Sequence, residues 1–261
     1  MLTNTQLQDL AELHRLAEQF AAGVAIIGAA ALQCFFDMSS LTRDVDLVVA
    51  LDLEDFAVLA DALKTRGWTR EEPREHRWYG PSGSLVDLLP AGPKLCQAKR
   101  IVWPESEFEM SLVGFEHVFA RAIPFSFAEG VQYRVAPPIV IALLKIIAFM
   151  DDPHRREKDL NHLAEILGRY EDESDRIFCD EVYAAELDDI EYANAFLLGM
   201  DIATIAMADE LEIVEEFLDS KGISDEELDD LVPDDMRQRA ELRFQRQLRA
   251  FRKGLERDRK S

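Results

Sequence analysis

Apolar side chains in the first 22 residues recur at three- and four-residue spacing, at Leu7, Leu10, Leu13, Leu16 and Phe20. That interval follows the 3.6-residue helical turn and leaves one stripe to bury, so a helix is predicted over 5–22. The next apolar run, 24–27, is short, favours β-structure and stops at Gly28. Residues 29–36 are rich in helix formers. Together they read as strand, tight turn at Gly28, then helix. A second apolar run spans 45–51. Behind it, 52–66 carries Phe56, Leu59, Ala60 and Leu63 at helical spacing, with acids in the first turn and Gly67 at the end, which predicts strand then helix.

Residues 74–79 and 84–89 flank Gly80-Pro81-Ser82-Gly83, turn chemistry that predicts a β-hairpin. Weaker strand signals lie between 108 and 135. After Pro137-Pro138 the pattern changes, and 139–150, 155–170, 175–186, 191–208, 210–220 and 236–255 all favour helix. The expectation is an α+β protein: a mixed-sheet domain over 1–136 and an all-helical domain over 137–261. Neither an internal repeat nor a Gly/Ser linker is found.

Composition narrows the picture. Of the 261 residues, 48% are apolar and 31% charged, a balance that supports one large or two modest cores and excludes disorder over most of the length. Acids outnumber Lys and Arg by 51 to 29, for a formal charge of -22. Wholesale wrapping on nucleic acid or on an anionic membrane is thereby disfavoured, and a polyanion would need a local basic patch. Cys34, Cys96 and Cys179 are far apart, without metal-knuckle spacing, so a reducing cytoplasm is the expected compartment. The first residues lack a secretory pattern, and the most apolar stretch, 139–150, is short and holds Lys145. A soluble, unprocessed chain without a membrane partner is expected.

Candidate chemistry concentrates in residues 28–47. Asp44 and Asp46 lie two apart at the start of a strand, so both carboxylates point to one side and repel unless a cation intervenes. The plain alternative is a solvated strand start. Asp87 lies within the apolar run Leu85-Val86-Asp87-Leu88-Leu89, where a carboxylate is costly unless paired, metal-bound or at an accessible edge. Gly28 and the helix after it offer backbone amides to a phosphate. Lys145 interrupts an apolar helix, and His154-Arg155-Arg156 and Lys158-Asp159 follow, clustering cations where a triphosphate could be held. A lysine in such a helix also reaches solvent simply by extending its chain.

These pieces, in order, resemble the nucleotidyltransferases of the AbiEii/AbiGii toxin family, the enzyme side of type IV toxin–antitoxin systems, built on the polymerase-β-like fold. The matching stretches are Ile27-Gly28-Ala29, Thr42-Arg43-Asp44-Val45-Asp46-Leu47, Val86-Asp87-Leu88, Ala142-Leu143-Leu144-Lys145-Ile146-Ile147-Ala148 and Arg156-Glu157-Lys158-Asp159-Leu160. The resemblance implies transfer of a nucleoside monophosphate from a nucleoside triphosphate to an acceptor hydroxyl, with two Mg2+ ions, or Mn2+ in their place. Asp44 and Asp46 would match the metal-binding pair. Asp87 would match the third carboxylate, which helps hold one metal and orients or deprotonates the acceptor. Gly28, Ala29, Arg43, Lys145, Lys158 and Asp159 would match nucleotide-binding positions. Ala29 stands where the family's turn commonly has Gly or Ser. Such a site would lie between the two halves of the chain, a common place for a ligand.

The acceptor implied is RNA, in particular tRNA, or a protein, and an antitoxin partner is implied as well. Two other readings stand beside it: a nucleotidyltransferase acting on a small molecule such as an antibiotic or metabolite, and a non-catalytic binding relative. The C-terminal stretch 237–261 holds ten basic residues and three acids. Arg243, Arg246, Arg249 and Arg252 read either as a helix face paired to acids of the same chain or as an RNA-binding tail. The acidic run at 225–235 reads as a solvated loop, since it lacks the glycine and ligand spacing of a calcium loop.

Overall fold

In the computed structural model, which describes residues 2–37, 42–128, 131–172, 174–229, 231, 233 and 235–257, the chain divides into two units, Met1–Ile141 and Ala142–Ser261. The first opens with α1 (Asn4–Glu18). Thr3 caps it: its hydroxyl accepts from the Gln6 amide at 3.3 Å, and the Gln6 side chain accepts from the Thr3 amide at 2.8 Å. Leu10, Leu13 and Leu16 form its buried stripe, as the period predicts.

There follow β1 (Val24–Ile27), α2 (Gly28–Leu32), β2 (Asp44–Val49), α3 (Leu53–Thr65), β3 (Thr69–Arg70), β4 (Arg77–Tyr79) and β5 (Leu85–Pro90). Next come α4 (Pro93–Ala98), β6 (Arg100–Val102), β7 (Glu109–Ser111), α5 (Glu116–Arg121), β8 (Ile123–Ala128) and β9 (Val131–Val135). Seven strands make one sheet in the order β3-β4-β5-β2-β1-β9-β8, while β6 and β7 form a separate ribbon. The sheet is mixed: β2 runs antiparallel to β1 and parallel to β5, and β1 runs parallel to β9. Val24 to Ile27 are all buried, as are Val45, Leu47, Val48, Val49, Val86 and Leu88, so the core lies around the central strands. The 74–89 hairpin forms, with Arg77 opposite Asp87 and Tyr79 opposite Leu85. Its turn is held by the buried Asp9, which accepts from the Ser82 amide at 2.9 Å and the Ser84 hydroxyl at 2.5 Å.

Four short elements in this unit were not expected, among them the two-residue β3. α4 starts with Pro93 at its first position, a recognised start signal. α5 and β6, at six and three residues, are too short to set a period. The helix expected over 29–36 closes at Leu32, and turns carry the chain on to Phe36.

In the second unit every regular element among the described residues is helical. α6 (Pro138–Asp151) starts before its boundary; α7 (Glu157–Arg169), α8 (Asp180–Ala184), α9 (Ala193–Ile205), α10 (Ala208–Lys221), α11 (Asp225–Asp229) and α12 (Met236–Arg257) follow. The continuous helix expected over 175–186 is broken into a 3₁₀ turn, Asp175–Phe178, and the five-residue α8, with extended Cys179 between them. Only Val182 of α8 is buried, while Phe178 and Tyr183 stay exposed, so no packed face supports a longer helix. The acidic run expected as a loop contains α11. Ser224 and Glu227 cap each other's amides at 3.3 and 3.0 Å, and Leu228 is buried. Asp230 and Asp234 of that run lie outside the described residues.

α9 and α12 pack closely. A Cβ on Gly199 would overlap the Phe251 carbonyl, and one on Gly254 the Phe196 carbonyl, so only glycine lets the two backbones approach this far. Of the α12 arginines, Arg249 and Arg252 meet acids of their own unit at close range. Arg249 bonds Asp188, Asp229 at 3.0 Å and Asp225 at 3.4 Å, and Arg252 bonds Asp219 at 2.8 Å. Arg259 and Lys260 lie outside the described residues. The three cysteines are free thiols. No helix among the described residues is long and apolar enough to cross a membrane.

Candidate functional site

Along β2 burial alternates, with Val45 and Leu47 inward and Asp44 and Asp46 half-buried on the other face. β5 alternates likewise, with Val86 and Leu88 inward and Asp87 on the half-buried side. The parallel register sets Asp46 directly opposite Asp87, so three carboxylates share one sheet face. Uncompensated, they would repel.

Compensation comes from Arg77, which the antiparallel β4–β5 register places opposite Asp87. Its Nε donates to Asp87 Oδ1 at 2.7 Å and its Nη2 to Asp87 Oδ2 at 2.6 Å, a bidentate pair. Nη2 also donates to Asp44 Oδ2 at 3.2 Å. Asp44 Oδ1 accepts from the Thr42 hydroxyl at 2.6 Å. The Arg77 and Asp87 side chains are 19% and 13% exposed, and that of Asp44 33%, so this pairing opens to water at one side. The Asp87 hydrogen bonds raise the Arg77 guanidinium above its ordinary pKa against the cost of burial, with the charges of Asp87, Asp44 and Glu71 adding.

Gly28 closes the site from β1, where Ile27 is register-paired to Asp46. Its φ of +66° suits glycine, and a Cβ there would overlap the Asp46 carboxylate. Space and backbone both demand the missing side chain. Ala29 is half-buried in the first turn of α2. Arg43 is exposed; its carbonyl accepts from Gln6 Nε2 at 3.4 Å.

The remaining predicted residues lie in the helical unit. Lys145 is buried and donates to Asp159 Oδ1 at 2.7 Å, with side chains 10% and 6% exposed. Arg156 and His162 stand 3.7 and 3.8 Å from the same carboxylate. Burial pushes the Asp159 carboxyl up, but His162, Lys145 and Arg156 outweigh it and hold it well below the usual carboxylate range. Lys158, one residue away, is exposed. The Lys145 ammonium is thus committed to a neighbour inside its own unit.

No protein-family model and no curated protein matches this chain. Solved structures do. JHP933 from Helicobacter pylori is 15% identical over 100% of this chain and 97% of its own, with a TM-score of 0.40. The antibiotic-resistance factor ANT(2'')-Ia is 15% identical over 84% of this chain and 94% of its own, at 0.36. An antigenic nucleotidyltransferase-like protein from Paracoccidioides brasiliensis is 18% identical over 62% and 75%, at 0.38. Similarity at this level assigns no residue of this chain a role.

For the implied metal, the side chains as arranged do not fit. Among the described residues, no three Asp, Glu, His or Cys side chains stand together so as to hold one ion, and both Asp87 oxygens accept from Arg77. Arg77 itself escapes sequence reasoning. It is one of three arginines within Arg70–Arg77, and only strand register singles it out.

Proposed function

We propose that this chain is a nucleotidyltransferase, moving a nucleoside monophosphate from a nucleoside triphosphate to an acceptor hydroxyl. The observation that carries the reading is the register of β2 and β5, which puts Asp46 opposite Asp87 with Asp44 on the same face and Gly28 against Asp46. In this reaction the acceptor oxygen bonds to the α-phosphorus while the bond to pyrophosphate breaks. Asp87, at a half-open face, is suited to orient the acceptor hydroxyl or take its proton. Arg77 supplies positive charge beside it. Magnesium, which would offset charge on the phosphate oxygens, would be held by Asp44, Asp46 and Asp87 only once Arg77 has left the Asp87 carboxylate.

The acceptor proposed first is RNA or protein. The pairing of Arg249 and Arg252 with acids of their own unit favours a second reading, a small cationic acceptor, because those arginines are already neutralised. A net charge of -22 also attracts small cations.

The test is incubation of the pure protein with magnesium and each α-labelled nucleoside triphosphate, offering total RNA, aminoglycosides and the protein itself. Wild type is expected to transfer label, and Asp46→Ala to lose at least about 100-fold, the scale set by removing one charge-stabilising group. Undiminished transfer by Asp46→Ala overturns the reading.

A further inference from the structure

The three carboxylates form no ready cation site, and a guanidinium lies across two of them. We infer that Arg77 is a resident counter-ion of this face, which a divalent cation must displace from Asp87 and Asp44 to bind. The inference rests on the reading of Asp44, Asp46 and Asp87 as the cation-binding face.

Both oxygens of Asp87 accept from Arg77, at 2.7 and 2.6 Å, and the same Nη2 reaches Asp44 at 3.2 Å. The guanidinium therefore bridges the outermost aspartate of β2 and the only aspartate of β5. A hard dication needs carboxylate oxygens at close range. It cannot take those of Asp87 while two N–H groups point at them, nor sit beside the guanidinium without strong like-charge repulsion.

Arg77 has somewhere to go. It is the first residue of β4, its side chain is partly exposed, and the Glu71 amide donates to its carbonyl at 2.9 Å. Glu71, which also accepts from the Tyr79 hydroxyl at 2.6 Å and pairs with Arg74 at 3.2 Å, offers a second anion nearby. The backbone at Arg77 is fixed by the sheet, so the exchange needs only side-chain rotation.

The arrangement makes two states of one site. In one, Arg77 neutralises the carboxylates; in the other, the cation does, and the guanidinium is released toward the substrate side or Glu71. The apparent cation affinity is then the intrinsic one reduced by the fraction of molecules in the open state.

The test is calorimetric titration of the full-length protein with Mn2+, without nucleotide, for wild type, Arg77→Gln, Arg77→Lys and Asp46→Asn, with circular dichroism confirming folding. Arg77→Gln is expected to bind Mn2+ about tenfold or more tighter than wild type, as expected when a competing closed state is removed. Arg77→Lys, which keeps the charge but not the bidentate fork, is expected to fall between. Asp46→Asn should bind more weakly than wild type. Equal or weaker binding by Arg77→Gln overturns the inference, as does wild-type affinity in Arg77→Lys, which would make the effect one of net charge alone. Should Arg77→Gln not fold, Arg77→Lys decides: tighter than wild type supports displacement, equal binding refutes it. Mn2+ bound equally by wild type and the Arg77 variants sinks the displacement while sparing the metal reading, whereas no Mn2+ bound by any folded variant sinks both.

Discussion

Asp87 and Asp159 each meet a cation, and the two pairs differ in almost every physical respect. Asp87 lies on a sheet face open to water and is gripped by the planar fork of Arg77, which reaches Asp44 as well. Asp159 is buried in the helical unit against the single ammonium of Lys145, with Arg156 and His162 close by. In the first pair, side chains 19% and 13% exposed let water reach both partners. In the second, removing one partner strands a charge in low dielectric. The lesson is that a carboxylate and a cation found together reveal little until their access to solvent is known.

Lys145→Ala should show the largest effect, a loss of stability approaching about 3–5 kcal/mol from a buried carboxylate deprived of its closest cation, read by urea denaturation. A loss below that of Arg77→Gln would break the contrast. Arg77→Gln should cost less, about 1.5–3 kcal/mol, the scale of hydrogen bonds to a charged group. The same denaturation series measures it.

The last effect is a dependence on pH, confined to the acid range. The Asp159 pKa is lowered on folding, so its stabilising contribution is complete above the unfolded value of about 4 and drains away as pH falls below it toward the folded value. Thermal melts of wild type and Asp159→Asn should therefore converge as pH drops below about 4 and separate above it. A constant gap across that range would mean that the carboxylate's charge plays no part.

Much of the first unit is legible in the sequence because its signals are local. The Leu7–Leu16 stripe, the run ending at Gly28 and the turn at Gly80–Gly83 each depend on a few neighbouring residues, and β1 and the hairpin form where the pattern puts them, while α1 forms but ends at Glu18, short of the expected 22. The same holds for the shared face of Asp44 and Asp46, which follows from strand alternation alone. The oddness of Asp87 in an apolar strand is equally visible, and so is that of Lys145 in an apolar helix.

What answers those oddities is not local. Arg77 is ten residues from Asp87 and 33 from Asp44, and Asp159 is 14 from Lys145; which pairs form depends on strand register and on helix packing. The broken helix at 175–186 and the capped α11 turn on burial and on a two-residue capping exchange, quantities that periodicity does not measure. The approach of α9 to α12 at Gly199 and Gly254 is likewise invisible from either helix alone.

By itself, then, the chain's sequence determined the alternation that sets two carboxylates on one face, the glycine at their edge and the switch from mixed to helical structure, because each is encoded within a turn or a strand. Only tertiary structure decided that β2 lies between β1 and β5, that Asp46 faces Asp87, and that Arg77 is brought to Asp87 and Asp44. Those outcomes come from long-range pairing, where the partner is chosen by the geometry of the whole sheet and not by any residue's neighbours in sequence.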